Sequence, residues 1–598
     1  MPAAKPIFDP RWKRFAGPAF VLLSALVATA PFILQGPSCG SDLYFHLASW
    51  IEAQRSMLLA VPYPHWTPNS NFGAGEPRFV FYPPLSWMAG AFLGLFMPWR
   101  FVAVAFTFLL LAATGLANRA LAREMLSDGP ATLAGCAAIF SGFALLTVYT
   151  RSDFAEITAG FWIPLLILFL LRDRNPSGPL RERAFDGSAA PLALVLAGAW
   201  LSNAPVGLMA SYLLAALAVV AALIAKSWAP VLRATVAALL AFGLAAGFLL
   251  PAAWEQRWTN LQFAISIPHL QVRNSWLFAR HTDATLAAVA HDQKLLVVSW
   301  IAVAMIAVAL AGALVAHMRG ALLVSMRGSL PGARRWTLPL LLIPCAVLFL
   351  MLPVSMPVWN VLPKLRYLQF SWRWLEVMTA PTSIFFAAAV WFVPLRRRIA
   401  VLSACALLFI AISAAAGHYW FIDCEDNQDR IVAAEHDGTG VYGKQEYAPA
   451  GGIYAPPLSI QPDACLVGDP SASPGPANPG TGPYWDGAKA RCKAFVAINF
   501  LPESRIVVGT ADHPGYLILR LRSYPAWRVE VNGRPVTPAI ERDFGLMAVP
   551  VPQGHIEINI DWTTTPDVIA GRCISFVSVL ALTTLCLIER KLRRPRLS

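Results

Sequence analysis

Stretches of about twenty apolar residues recur along the whole 598-residue chain, separated by short joints that carry Lys and Arg. Wound at ~1.5 Å per residue, each is long enough to cross a ~30 Å hydrocarbon layer. In hydrocarbon every backbone polar group needs a partner within the protein, which leaves helices or closed barrels, and barrel strands would alternate over about ten residues instead. A bundle of membrane helices follows. With 57% hydrophobic and 14% charged residues, the chain is too apolar for a soluble multidomain protein. The net charge of +13 sits in short clusters between apolar segments, where it orients helices, so nucleic acid is not the expected partner.

Charge also orients the chain. Lys5, Arg11, Lys13 and Arg14 precede the apolar stretch 15–35, which has no convincing small-residue cleavage pattern and reads as a retained first span with a cytoplasmic N-terminus. Basic clusters at Arg119/Arg123, Arg172–Arg183, Lys226/Arg233, Arg319–Arg335, Arg396–Arg398 and Lys591–Arg596 mark the same side. Between them spans are expected near 101–118, 130–149, 158–171, 189–203, 204–225, 230–252, 294–316, 337–356, 373–394, 399–417 and 567–588, about twelve with the first. Residues 84–97 are too short to cross, and counting them would invert every later cluster. They are expected to lie on the outer face, within an outer loop 36–100 that holds a second surface helix near 43–60.

Outer stretches of about 253–293 and 356–372 follow, and the largest runs from 418 to 566, where Gly, Pro, Asp and Asn rise. There YLILRLRS (516–523) and HIEINIDW (555–562) alternate apolar and polar residues, and RVEVNGRPV (528–536) carries an Asn532-Gly533 hairpin signal. A small extracytoplasmic β-sandwich is expected, interrupted by a low-complexity stretch at 470–483. The resulting organisation is a transmembrane domain over residues 1–417, a β-rich domain over 418–566, and a final helix with a basic cytoplasmic tail over 567–598. No fixed-period repeat of transporter type is visible. Of nine cysteines, Cys39, Cys424, Cys465 and Cys492 lie outside; they allow three pairings, with Cys465–Cys492 the local choice.

The first outer loop carries the first chemical candidates. Asp42 and His46 are four apart, on one face if the stretch is helical, and Asp42 is placed to act as a general base. A helix cap with a surface histidine is the competing reading. Downstream come Tyr63-Pro64-His65-Trp66, Gly73-Ala74-Gly75-Glu76-Pro77 and Phe81-Tyr82-Pro83-Pro84-Leu85. Tyr149-Thr150-Arg151-Ser152-Asp153-Phe154-Ala155-Glu156 ends the third span, and residues 362–373 read LPKLRYLQFSWR. Glu255, Arg257, His269, Arg273, His281 and His291 add polar groups with no recognisable spacing, and no role beyond acceptor contact is assigned to them.

Taken in order, these stretches resemble the GT-C membrane glycosyltransferases, and within them the bacterial 6-pyruvoyl-tetrahydropterin synthase-related membrane proteins and YfhO-like proteins. The likeness covers residues 36–376, with His65 where those proteins have Arg and Ser371 where they have Pro. The pterin label brings no pterin chemistry, since no three-histidine zinc constellation is visible. The resemblance implies a GT-C-like fold in a bacterial plasma membrane. It also implies an enzyme that moves a hexose or pentose from a polyprenyl-phosphate carrier to a glycan, lipid or protein acceptor at the outer face.

That chemistry needs a carboxylate to deprotonate the acceptor and positive charge for the leaving phosphate. The resemblance implies Asp42 as base and His46, Tyr82, Asp153 and Glu156 around the acceptor. Arg366, Gln369 and Arg373, with Lys364, would face the donor phosphate. A divalent cation (Mg or Mn) held by Asp42, Asp153 and Glu156 is an open alternative. Equally open are an ordinary Arg373–Glu376 ion pair, a non-catalytic polysaccharide assembly or export partner, and a lipid or solute transporter. A transporter would place ionisable groups mid-span, whereas here they cluster at helix ends.

Overall fold

The computed structural model describes residues 13–267, 270–281, 285–318, 330–391, 393–450, 462–467, 495–541 and 544–593. Every expected span has a helical counterpart. Among the described residues ten helices are long and apolar enough to cross a membrane, from Phe15–Gln35 to Pro566–Leu592, and the number is twelve if each of two bent pairs counts as one span. The bends were not foreseen. Ala229–Leu244 and Ala246–Trp258 meet at 71°, and Arg335–Leu350 and Pro353–Val361 at 92°. At the second break Leu352 is extended (φ −107°, ψ 148°) ahead of Pro353, which disfavours helix in its predecessor and lacks an N–H. At the first, glycine permits close approach: a Cβ on Gly571 of the final helix would press on the Ala246 carbonyl.

The segment 84–97 is not among the spans. It forms the eleven-residue helix Pro84–Gly94, and its Gly90 lies flat on the Trp50 indole of the neighbouring helix Leu43–Leu58. Trp50 and Trp87 are fully buried in this cluster, which explains why so apolar a loop folds against the bundle. At the opposite end, buried Arg233 donates to the carbonyls of Ala184 and Leu170 (3.1 and 2.9 Å) and pairs with Asp186 at 3.3 Å.

The strands are β1 (Ala464–Val467), β2 (Val496–Leu501), β3 (Ser504–Ala511), β4 (Gly515–Arg522), β5 (Trp527–Val531), β6 (Arg534–Val536), β7 (Ala539–Ile540), β8 (Leu546–Val551) and β9 (Gly554–Trp562). They form two antiparallel sheets, β1-β4-β8-β7 and β2-β3-β9-β5-β6. Leu517, Leu519, Val549, Val529, Ile556 and Ile558 pack from both into one core. Asn532 and Gly533 have φ of 49° and 74° between paired Val531 and Arg534, the turn that the Asn-Gly signal demands. Trp66, from the first outer loop, is buried in this core against Trp527 (rings 5.3 Å apart), so loop and sheets form one body. The stretch 470–483 lies outside the described residues.

Between bundle and strands, helix Asn427–His436 packs on Leu43–Leu58. The disulfide Cys39–Cys424 joins the same two regions across 385 positions of sequence. Cys465 is also disulfide-bonded, while Cys492, its expected partner, lies outside the described residues.

Candidate functional site

Two segments distant in sequence are stitched together at the end of the bundle that carries the long loops. Residue 42 donates its N–H to the Arg151 carbonyl (2.7 Å) and residue 41 to the Thr150 carbonyl (3.3 Å). Ser38 Oγ donates to the Tyr149 carbonyl (2.6 Å), Ser152 Oγ donates to the Ser38 carbonyl (2.7 Å), and Gly40 N–H donates to Ser152 Oγ (3.1 Å). Gly40 is required at the contact, because a Cβ there would meet the Arg151 carbonyl carbon and Ser152 nitrogen. On the second segment a π-turn, Thr147–Arg151, ends in Ser152 at φ 52°, and Asp153 then caps the next helix by accepting the Glu156 N–H at 3.0 Å.

This stitching assembles a charge cluster. Arg151 reaches Asp42 Oδ2 at 3.4 Å, Asp153 Oδ2 at 2.8 Å and Glu156 Oε2 at 2.7 Å. Glu156 Oε2 also accepts from Arg373 Nε at 2.9 Å, and Arg373 donates to the Leu368 carbonyl at 2.8 Å. In place of the Arg373–Glu376 pair that the spacing left open as an alternative, Arg373 pairs with Glu156. Glu376 is buried beside them, its Oε1 without a hydrogen-bond partner. Asp42 sits at the N-cap of Leu43–Leu58 but makes no side-chain capping bond. Its carboxylate turns to Arg151 instead, and at 28% side-chain exposure it is the open member of a series in which Asp153 is 10% and Glu156 0% exposed.

His46 is not on the surface. It is buried, with Nδ1 3.0 Å from Tyr82 Oη and Nε2 3.5 Å from Asp153 Oδ1. Tyr82 donating to Nδ1 leaves the Nε2 proton facing Asp153, the arrangement that serves both contacts. Burial works against the Asp153 charge, but the Arg151 guanidinium and His46 together outweigh it and hold this carboxyl well below its ordinary range. Burial pushes the Tyr82 phenol well up, keeping it a hydrogen-bond donor.

Six of the nine expected site residues thus converge: Asp42, His46, Tyr82, Asp153, Glu156 and Arg373. Arg366 does not join them; it is exposed and bonds Asn360. Gln369 donates to the Ala264 carbonyl at 2.7 Å, and Lys364 lies 3.4 Å from Gln256 Oε1. Ser371 has a role that proline could not fill: its N–H donates to Ser275 Oγ at 3.1 Å. The arrangement does not fit a divalent ion bridging Asp42, Asp153 and Glu156, because the Arg151 guanidinium lies between those carboxylates and carries the charge they require. Sequence reading assigned Arg151 no role. It is a basic residue at the end of a span opposite the basic clusters, and that break in the charge pattern was the available signal.

Behind the cluster a second buried network fixes the loop. Arg78 donates to Glu76 Oε1 and Ser70 Oγ, both at 2.7 Å, and Asn69 N–H donates to Glu52 Oε1 at 2.7 Å. Burial pushes the Glu52 carboxyl up to about 7 and that of its neighbour Glu435 well above the ordinary range.

No protein-family model and no curated protein matches the chain. Among solved structures it is similar to the archaeal oligosaccharyltransferase AglB from Archaeoglobus fulgidus, in complex with an inhibitory peptide and a dolichol-phosphate. That match is 13% identical, covers 72% of this chain and 57% of that one, and has a TM-score of 0.43. The arabinofuranosyltransferase AftD from Mycobacteria matches at 17% identity, 70% and 27% coverage and a TM-score of 0.38. ArnT from Cupriavidus metallidurans bound to undecaprenyl phosphate matches at 15%, 72% and 78%, and 0.31. The chain spans just over half the length of the archaeal protein. Scores this low leave reaction and substrate to the site itself.

Proposed function

We propose that this protein is a membrane glycosyltransferase of the GT-C kind, akin to the 6-pyruvoyl-tetrahydropterin synthase-related and YfhO-like membrane proteins. It would move a sugar from a polyprenyl-phosphate donor to a glycan, lipid or protein acceptor. The observation that carries the reading is Asp42: an N-cap carboxylate that leaves its own helix uncapped, is half-buried with 28% of its side chain exposed, and is oriented by the half-buried Arg151 guanidinium. In the proposed step Asp42 takes the proton of the acceptor hydroxyl as its oxygen attacks the anomeric carbon. The bond from that carbon to the phosphate oxygen breaks, and the polyprenyl phosphate leaves with the electron pair. Arg373, at the boundary of its span, meets the leaving charge, while Arg151, Asp153 and His46 position Asp42.

With the basic helix ends taken as cytoplasmic by the positive-inside rule, this reading puts the site and the strand-rich domain 418–566 outside, in a bacterial plasma membrane. The alternative of a non-catalytic assembly partner is favoured by one feature, the engagement of Asp42 by Arg151. Transfer of labelled sugar from a panel of polyprenyl-phosphate sugars in reconstituted membranes separates the two. Activity lost in Asp42→Asn, at unchanged expression and melting, supports the enzyme. No turnover from any donor, with a cellular phenotype unaltered by Asp42→Asn, rejects it.

A further inference from the structure

Where the first outer loop meets the strands, a cavity of about 270 Å³ opens that the proposed transfer step does not use. At ~30 Å³ per water it has the room of about nine waters, enough for one ring sugar. Its floor is the edge of the sandwich core, the buried side chains of Val507, Leu519, Leu521 and Ile560. Its walls carry Arg55 from the helix Leu43–Leu58, Arg505 from β3 and Arg520 from β4.

Those walls bring like charges together. Arg505 is buried and donates to the carbonyls of Arg520 (3.0 Å) and Gly73 (3.2 Å). The Arg520 guanidinium pairs with Asp463 and lies alongside Gly73. Arg55 is half-buried, and its guanidinium has no hydrogen bond or ion pair among the described residues. Two residues further along β4, Arg522 donates its backbone N–H to the Ala74 carbonyl at 2.8 Å. It is 2% exposed, yet its Nε and Nη1 have no hydrogen-bond partner. Burial and the neighbouring Arg520 charge pull the Arg505 guanidinium down to about 10, and burial does the same to Arg522 against the opposing charge of Glu76. Asp437 and Asp463 also line the cavity, so three arginines there face two acids, with Arg522 adding to the excess from behind the loop.

A loop packed on a sheet often leaves a crevice, but packing alone gives no reason to gather groups that repel one another. Buried positive charge calls for an anion. We propose that this cavity binds a single acidic sugar, with its carboxylate or phosphate on Arg55 and Arg505 and the C–H face of its ring on the apolar floor. The guanidinium fork matches two oxygens of either oxyanion. An inorganic anion would leave the apolar floor unused, and a neutral sugar would leave the arginines uncompensated. The cavity is separate from the Asp42 cluster and takes its ligand whether or not Asp42 transfers sugar. Because Arg55 lies on the helix whose N-cap is Asp42, an occupied cavity braces that helix near its other end.

The test titrates the full-length protein in detergent with D-glucuronate, D-glucose 6-phosphate, D-glucose, acetate and inorganic phosphate, read by calorimetry and saturation-transfer NMR. At least one acidic sugar should bind, the tighter of the two naming the oxyanion, with saturation reaching its ring C–H protons. Glucose, acetate and inorganic phosphate should each bind at least about tenfold more weakly. Arg55→Gln should weaken the acidic sugar about tenfold or more, while Arg366→Gln, at an exposed arginine elsewhere, leaves it unchanged. If Arg55→Gln does not fold, raising salt from about 50 to about 500 mM should weaken the acidic sugar in the wild type and leave glucose unaffected. No binding of either acidic sugar, glucose binding as tightly, or acetate or inorganic phosphate matching them would each overturn the proposal. So would binding that survives Arg55→Gln, falls equally in Arg366→Gln, or ignores salt.

Discussion

Arg151→Met tests whether one guanidinium holds the candidate site together. Four carboxylates, Asp42, Asp153, Glu156 and Glu376, gather around two arginines, Arg151 and Arg373. At 2.8 Å from Asp153 and 2.7 Å from Glu156, Arg151 gains roughly 6 kcal/mol of gross attraction to each at an effective dielectric constant near 20. The cost of burying the ions offsets much of that, and breaking such a buried pair leaves a net loss of about 3–5 kcal/mol. The pH dependence supplies the sharper signature. In the wild type Asp153 is held below its ordinary range, so its stabilisation is present above the unfolded carboxyl pKa of about 4 and is lost as pH falls through the lowered value. Without Arg151, burial dominates, the Asp153 pKa rises, and stability instead falls as pH rises through it. Melting in detergent from about pH 5 to about pH 8 should be flat in this contribution for the wild type and slope downward for Arg151→Met. Adding Asp153→Asn should remove the slope and recover about 2–3 kcal/mol of coupling. A variant that melts like the wild type, with no slope and no coupling to Asp153, would refute the role given to Arg151.

The fold makes three further predictions. Glu52, pushed up to about 7 from an ordinary 4.5, contributes stability that is full below about 4.5 and lost as pH rises through about 7. Hydrogen exchange in Leu43–Leu58 and Asn427–His436 should therefore speed up across that window, and Glu52→Gln should flatten the response. Cys39→Ser removes the link to Cys424 and should cost about 2–4 kcal/mol, read as lowered melting at unchanged oxidation of Cys465. Gly40→Ala drives a Cβ into the Arg151–Ser152 backbone, and the displaced Asp42 should cost about 10–100-fold in sugar transfer with a smaller effect on melting.

The bundle was legible because hydrocarbon imposes a local rule: each span must be apolar and helical over its own length. Charge parity placed helix Pro84–Gly94 off the list of spans, and Asn532-Gly533 announced its hairpin, again from neighbouring residues. What escaped depends on partners far away in sequence. Nothing near Cys39 points to Cys424, and nothing in the loop around Trp66 says that its indole completes the core of sheets almost 400 residues on. The bends also escaped, since apolar runs continue through them. At the site, the resemblance supplied the acidic residues, but the sequence could not say that Arg373 chooses Glu156 over the nearby Glu376. That choice is made by the π-turn and by the bonds that stitch residues 38–42 to 149–153.

The exposure series across the cluster gives the site a direction. Asp42 is open, Asp153 nearly closed and Glu156 closed, and Arg373 continues the chain of contacts toward the Leu368 carbonyl in the loop that caps its span. In the proposed reaction a hydroxyl dissolved in water would reach only the first of these groups, whereas a lipid-borne phosphate would approach from the span that carries Arg373. Two reactants arriving from different phases would then meet across Arg151. A buried cation that contacts all three carboxylates can hold their geometry without a mobile ion while solvent reaches one side only. Its cost is that Asp42 must exchange a 3.4 Å contact with Arg151 for the acceptor hydroxyl. That contact is the longest of the three Arg151 makes to carboxylates, so Asp42 is the member of the cluster released at least cost.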